Sequence, residues 1–222
     1  MIPWRELDRA PVPGESAPLV LARRGDEFAI RVGPHLLMSS AMHGSEEALA
    51  ELACAPLAAR VDARVLVGGL GMGYTLAAAL AHVGPDARVE VAELIPAVIE
   101  WNRGPLAHLA GRPLDDARAT AIAGDVGGRI RAARERYDAI LLDVDNGPDG
   151  LTRVANEALY SAAGLAAARV ALRAGGVLGV WSTAPDDAFA RRLERAGFRV
   201  DEHRVRARRT KGGRHVIWLA TR

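Results

Sequence analysis

The sequence predicts an α/β fold: a mostly parallel sheet covered by helices, preceded by a small antiparallel β-meander and closed by a C-terminal antiparallel hairpin. Three observations carry this expectation. From residue 63 onward, short apolar runs alternate with helical stretches at the spacing of βαβ units. Those runs are apolar enough for both faces to be buried, as strands of a parallel sheet require. Before residue 40 the punctuation differs, because Gly25-Asp26 and Gly33-Pro34 separate strand-like runs in the manner of tight turns between antiparallel neighbours.

In chain order, residues 1–18 hold four prolines and no sustained period, and are expected to form an arm lying on the surface or against a partner. Residues 19–23, 27–32 and 35–38 are the strands of the meander. A helix is expected from Ser45 to about residue 59, with the Ser45 hydroxyl as N-cap and Glu46 and Glu47 at the positive helix end. These elements make an N-terminal unit over 1–60, and residues 61–222 make the main domain. There, strands are expected at 65–67, 88–92, 119–123, 139–142 and 177–181, with helices at 75–82, 95–109, 126–135, 156–172 and 186–196. Residues 198–206 and 215–220 flank Thr210-Lys-Gly-Gly as a hairpin at the sheet edge.

The chain has 222 residues, half hydrophobic and a quarter charged, which suits one sizeable core and excludes collagen, coiled coil and disordered tail. No apolar run reaches the roughly 18 residues of a membrane span. The first residues have neither a basic n-region nor an apolar h-region, so a cytoplasmic protein without a membrane partner is expected. The single cysteine, Cys54, can form no internal disulfide and no cysteine-based zinc site. The six histidines include no helical His-x-x-x-His pair, so no metal is expected.

Chemistry concentrates at the expected strand ends. Val65-Leu-Val-Gly-Gly-Leu-Gly-Met-Gly-Tyr-Thr-Leu76 runs a buried strand into Gly69, Gly71 and Gly73 and then into a helix, where backbone can approach a ligand and helix N–H groups are free. Glu93 follows 20 residues beyond Gly73, placed to accept the hydroxyls of a ribose. Asp125, in Ala-Gly-Asp-Val, stands where a loop can receive an adenine amino group. The glycine spacing is G-x-G-x-G rather than the G-x-G-x-x-G of a pyrophosphate cofactor, which favours S-adenosylmethionine or a relative over NAD. At the fourth strand end, Asp143, Asp145 and Asn146 would stand beside the reactive sulfonium, where a carboxylate can orient an amine or take its proton.

From about residue 27 to 182 the sequence resembles the spermidine synthase family of polyamine aminopropyltransferases, which share the Rossmann-like, seven-stranded class I methyltransferase sheet. The resemblance rests on the meander, the loop Gly69 to Gly73, Glu93, Gly124-Asp125, Tyr137-Asp138, Asp143 onward, Tyr160 and Ala174-Gly175-Gly176. It implies a purine nucleoside site at Gly69, Gly71, Glu93 and Asp125, with Asp143 matching the family's amine-deprotonating aspartate. It also implies a homodimer, which exposed meander edges would suit. Met72 stands where the family has the aspartate that holds the aminopropyl ammonium. The family's Tyr-His-Glu becomes Ser45-Glu46-Glu47, leaving Glu47 as the matching carboxylate. Its Asp-Ser-Ser-Asp-Pro loop becomes Asp143-Val-Asp-Asn-Gly-Pro.

With Met72 in that place, the reading is a transferase that uses S-adenosylmethionine to methylate a nucleophilic nitrogen or oxygen of a small molecule. Asp143 and Asp145 are its catalytic candidates. Gly69, Gly71, Met72, Gly73, Glu93, Asp125 and Asp143 are its donor-binding candidates, and His43, Glu47, Asn146 and Tyr160 are candidates for the acceptor. The alternative is aminopropyl transfer from decarboxylated S-adenosylmethionine to an amine, and an alternative of another class is a non-catalytic nucleoside-binding protein. Trp101 and Trp181 read as packing residues. Residues 191–222 carry 11 Arg and Lys against 3 Asp and Glu, with Arg204, Arg206 and Arg208 alternating along one strand. Nucleic acid is disfavoured as a partner because no aromatic residues interleave those arginines.

Overall fold

The computed structural model describes residues 2–14, 16–144, 158–208 and 213–222. Four strands, β1 (Arg5–Ala10), β2 (Leu19–Arg24), β3 (Glu27–Val32) and β4 (His35–Ser39), form one antiparallel sheet in sequential order. The last three lie where the turn signals put them. The first corrects the expected arm: it pairs with β2 from Arg5 opposite Arg23 to Ala10 opposite Leu19. Arg5-Glu-Leu-Asp-Arg is exposed throughout, so β1 shows no apolar alternation and is held as a charged edge strand by its backbone.

The second sheet has seven strands in the order β10-β11-β9-β8-β5-β6-β7. Strands β5 (Arg64–Gly68), β6 (Arg88–Glu93), β7 (Ala119–Ala123), β8 (Tyr137–Leu142) and β9 (Leu172–Ser182) are parallel to their neighbours in this set. β11 (Arg214–Thr221) pairs antiparallel with β9, and β10 (Arg199–Arg206) forms the edge beyond it. The order in which the chain adds parallel strands switches sides between β5 and β8, and a ligand crevice forms beyond the carboxyl ends of strands at such a point. β9 begins at Leu172 rather than 177, because the chain pairs Leu172 with Tyr137 before an irregularity resets the register.

Helices α1 (Gly44–Cys54), α2 (Tyr74–Ala81), α3 (Pro96–Arg103), α4 (Val126–Ala132), α5 (Ala162–Ala171) and α6 (Asp187–Arg195) cover the sheet. α1 lies against α2 and β9, while α4 and α5 pack together. α1 departs from the expected capping. His43 is the N-cap and its side chain caps no backbone N–H, and the Ser45 hydroxyl instead donates to Glu46. α3 ends well before residue 109, where the Gly104 N–H turns back to the Glu100 and Trp101 carbonyls. Asp125 caps α4 and Asp186 caps α6, each accepting two backbone N–H groups.

Alternate residues of the central strands enter cores on opposite faces: Val65 and Val67 on one, Leu66 on the other. The first core also contains Leu21, Phe28 and Ile30 of the meander and Leu49 of α1, so both sheets share apolar contacts. No described helix is long and apolar enough to cross a membrane.

Candidate active site

A cavity opens between the meander and the carboxyl ends of the parallel strands. Ile30, Val32 and Met38 wall it from the meander side, and Gly69, Gly71, Glu93, Asp125 and Asp143 from the sheet side. β5 delivers the chain to Gly69, which adopts φ +87°, and a Cβ there would collide with the Asp143 carbonyl oxygen. At Gly71 a Cβ would meet the Met38 thioether at 2.5–2.7 Å, so this glycine leaves the space where loop and meander touch. Gly73 starts α2 and faces Asn102 and Pro113 instead of the cavity.

Glu93 ties the loop to the end of β6. Its carboxylate accepts the Leu70 N–H through Oε2 and the Ile95 N–H through Oε1, both at 2.9 Å. Those bonds hold the carboxylate at the cavity wall. Asp125 also lines the cavity, but its carboxylate already accepts the Gly127 and Gly128 N–H groups and pairs with Arg131 at 3.1 Å.

Asp143 emerges from β8, and the Thr75 hydroxyl on the first turn of α2 donates to its Oδ2 at 2.6 Å. Glu46 reaches the same cavity from α1. Burial pushes the Glu46 carboxyl up to about 7, the charge of Asp143 adds to that, and the Ser45 hydroxyl bond at 2.7 Å opposes it. Burial raises Asp143 to about 6 against the bond from Thr75. The two carboxyls thus hold and release protons as an interacting pair.

Glu46 is the site residue that sequence reasoning missed in favour of Glu47. Its signal is periodic: positions 46, 49, 50 and 53 form the buried stripe of α1, and a carboxylate on an apolar stripe is an acid carried inward. Glu47 points away from that stripe and pairs with His43 at 2.9 Å. The His43 ring stacks on Tyr74 with centroids 4.1 Å apart, and neither His43 nor Glu47 lines the cavity. Trp181, read as packing, closes one cavity wall, and its indole N–H has no hydrogen-bond partner among the described residues.

Two other candidates lie elsewhere. Met72 is wholly buried in the core on the α1 face and does not reach the cavity. Tyr160 is buried in the opposite core, edge-on to Phe189. Asp145 and Asn146 lie outside the described residues. Among those described, no group of His, Cys, Asp and Glu side chains is arranged to hold a metal ion.

No family model matches the chain. In sequence it is 32% identical over 149 residues to Polyamine aminopropyltransferase 1 of Streptomyces coelicolor, covering 64% of this chain and 27% of that protein. The chain therefore spans about a quarter of that curated relative. Among solved structures, a spermidine synthase in complex with the transition state analogue AdoDATO superposes with TM-score 0.76 at 18% identity, covering 98% of this chain and 72% of that one. The spermidine synthase of Thermotoga maritima gives 0.74 at the same identity and coverage. Human Methyltransferase-like protein 13 in complex with SAH gives 0.55 at 21% identity, covering 78% of each chain. The chain is thus similar in sequence to a polyamine aminopropyltransferase, and it has the fold that the spermidine synthases share with class I methyltransferases.

Proposed function

We propose that the protein transfers an aminopropyl group from decarboxylated S-adenosylmethionine to an amine. The observation that carries this reading is the presence of Glu46 and Asp143 in one cavity whose other walls are largely apolar. Two desolvated carboxylates repel each other, and a cation between them relieves both costs. Intact S-adenosylmethionine would bring a third carboxylate, whereas the decarboxylated donor and a protonated amine bring only positive charge. The preference for methyl transfer rested on Met72 replacing a carboxylate. Met72 lies in the core, and Glu46 brings a carboxylate to the cavity from another element. The similarity to Polyamine aminopropyltransferase 1 supports the same choice.

The residues present suit such a donor. Gly69 and Gly71 bring bare backbone to the cavity wall, the Trp181 N–H lacks a partner among the described residues, and Glu93 presents a fixed carboxylate for ribose hydroxyls. When bound, the donor supplies a carbon activated by a sulfonium and a thioether leaving group. Asp143, held through Oδ2 by Thr75, has its other oxygen available to orient the acceptor nitrogen and receive its proton. Glu46 balances the second positive charge. The apolar meander residues exclude water and strengthen both attractions.

Product analysis with each donor and a panel of primary amines tests this reading. Asp143→Asn should lower aminopropyl transfer about 100-fold and weaken binding of the decarboxylated donor. A methylated product, or no aminopropyl product from any amine, would contradict it.

A further inference from the structure

The C-terminal hairpin is joined to this cavity by a chain of hydrogen bonds. His215 of β11 lies with Nδ1 2.9 Å from the Ser45 hydroxyl oxygen, and that hydroxyl donates to Glu46 Oε2 at 2.7 Å. Ser45 and Glu46 are buried, whereas His215 is only half-buried and stands edge-on to Trp181 at 4.8 Å. The three residues therefore run from the cavity toward solvent. Ser45 is neither a helix cap nor a surface hydroxyl; its bonds connect an acid to a base.

We propose that Glu46, Ser45 and His215 form a relay that carries the acceptor amine's proton out of the cavity. The inference rests on the transfer reaction above. The protonated amine yields one proton to the Asp143–Glu46 pair. Its freed lone pair forms the new N–C bond as the donor's C–S bond breaks, and that bonding pair returns to sulfur. Once Glu46 holds that proton, its O–H donates to the Ser45 oxygen and the Ser45 hydroxyl turns to His215. The His215 proton moves from Nδ1 to Nε2 by exchange with water, which leaves Nδ1 to accept. Glu46 then gives its proton to the Ser45 oxygen as the Ser45 hydroxyl proton passes to Nδ1. His215 then loses the proton on Nε2 to water. The cycle restores a donating Nδ1–H on His215, a Ser45 hydroxyl directed at Glu46 and an ionised carboxylate, the arrangement needed for the next turnover.

The groups that bear on the relay come from every neighbouring element. Asp143 and Glu47 raise the affinity of Glu46 for a proton, and burial lowers that of His215. Tyr74 also feels the charges of Glu46 and Glu47, but burial holds its own proton to about 12, leaving it a spectator near neutrality. An imidazole that holds its proton less firmly than a free one passes it on to water rather than keeping it.

The test has one arm that depends on turnover and one that does not. His215→Asn should lower kcat roughly 10- to 100-fold with both KM values little changed, and added imidazole should restore much of the loss. Ser45→Ala should lose as much, without rescue. In the intact protein, ¹⁵N NMR of His215 should show its tautomer switching as Glu46 titrates, and Glu46→Gln should abolish the switch. An unchanged kcat in His215→Asn, a loss that imidazole leaves untouched, or a tautomer indifferent to Glu46→Gln would overturn the relay. A protein that shows the switch but makes no aminopropyl product would instead retain the relay and refute the reaction.

Discussion

Glu46 illustrates how far residue types can be read without a fold. Its place on the stripe 46, 49, 50 and 53 is written in helical periodicity, yet an acid in a first turn also has an ordinary role beside the helix dipole, and Glu47 matched the family pattern. Only packing of α1 against the sheet separates them. Since burial raises its carboxyl from an unfolded value near 4.5 to about 7, Glu46 favours the folded state fully below pH 4.5 and loses that contribution as pH rises through about 7. Glu46→Gln should accordingly raise the ligand-free Tm by roughly 2–5 °C at about pH 8 and leave it almost unchanged at about pH 4, measured by scanning calorimetry. Met72 was misread for a related reason: alignment gave its place in the loop but not its direction. Met72→Asp should destabilise by about 3 kcal/mol or more in urea unfolding rather than alter donor choice, because it puts an unpaired carboxylate in the core.

At the scale of elements, the strands with apolar runs and the turns with glycine were legible, because periodicity and backbone sterics act locally. β1 was hidden because its contribution is backbone pairing plus one long-range bond, from the Trp101 indole to Asp8 Oδ2 at 2.7 Å, and neither leaves a pattern in Arg5-Glu-Leu-Asp-Arg-Ala10. The glycine loop was legible as a close approach, although what approaches Gly69 is the chain's own β8 end. Gly69→Ala should therefore cost about 2–4 kcal/mol in denaturant unfolding, combining an unfavourable positive φ with a collision at the Asp143 carbonyl. An equally stable alanine variant would mean that the β5 and β8 ends are not held together as described.

Across the molecule, the order β10-β11-β9-β8-β5-β6-β7 places the switch between β5 and β8 under the meander, which roofs the cavity. A division of the chain at about residue 60 was expected from the sequence, which gave no sign of the core in which Leu21, Phe28 and Ile30 pack in one cluster with Leu49, Val65 and Val67. Because neither sheet completes its apolar face alone, far- and near-ultraviolet circular dichroism should report one coincident thermal transition. Two separated transitions would assign the meander a stability of its own. On the proposed function, Glu46 and Asp143 make the cavity selective for a donor without a carboxylate. Calorimetric titration with S-adenosylmethionine and its decarboxylated form, on the intact protein and on Glu46→Gln, tests it most directly. The decarboxylated donor should bind at least about tenfold more tightly, and Glu46→Gln should erase most of the difference. Equal affinities, or tighter binding of the intact donor, would contradict it.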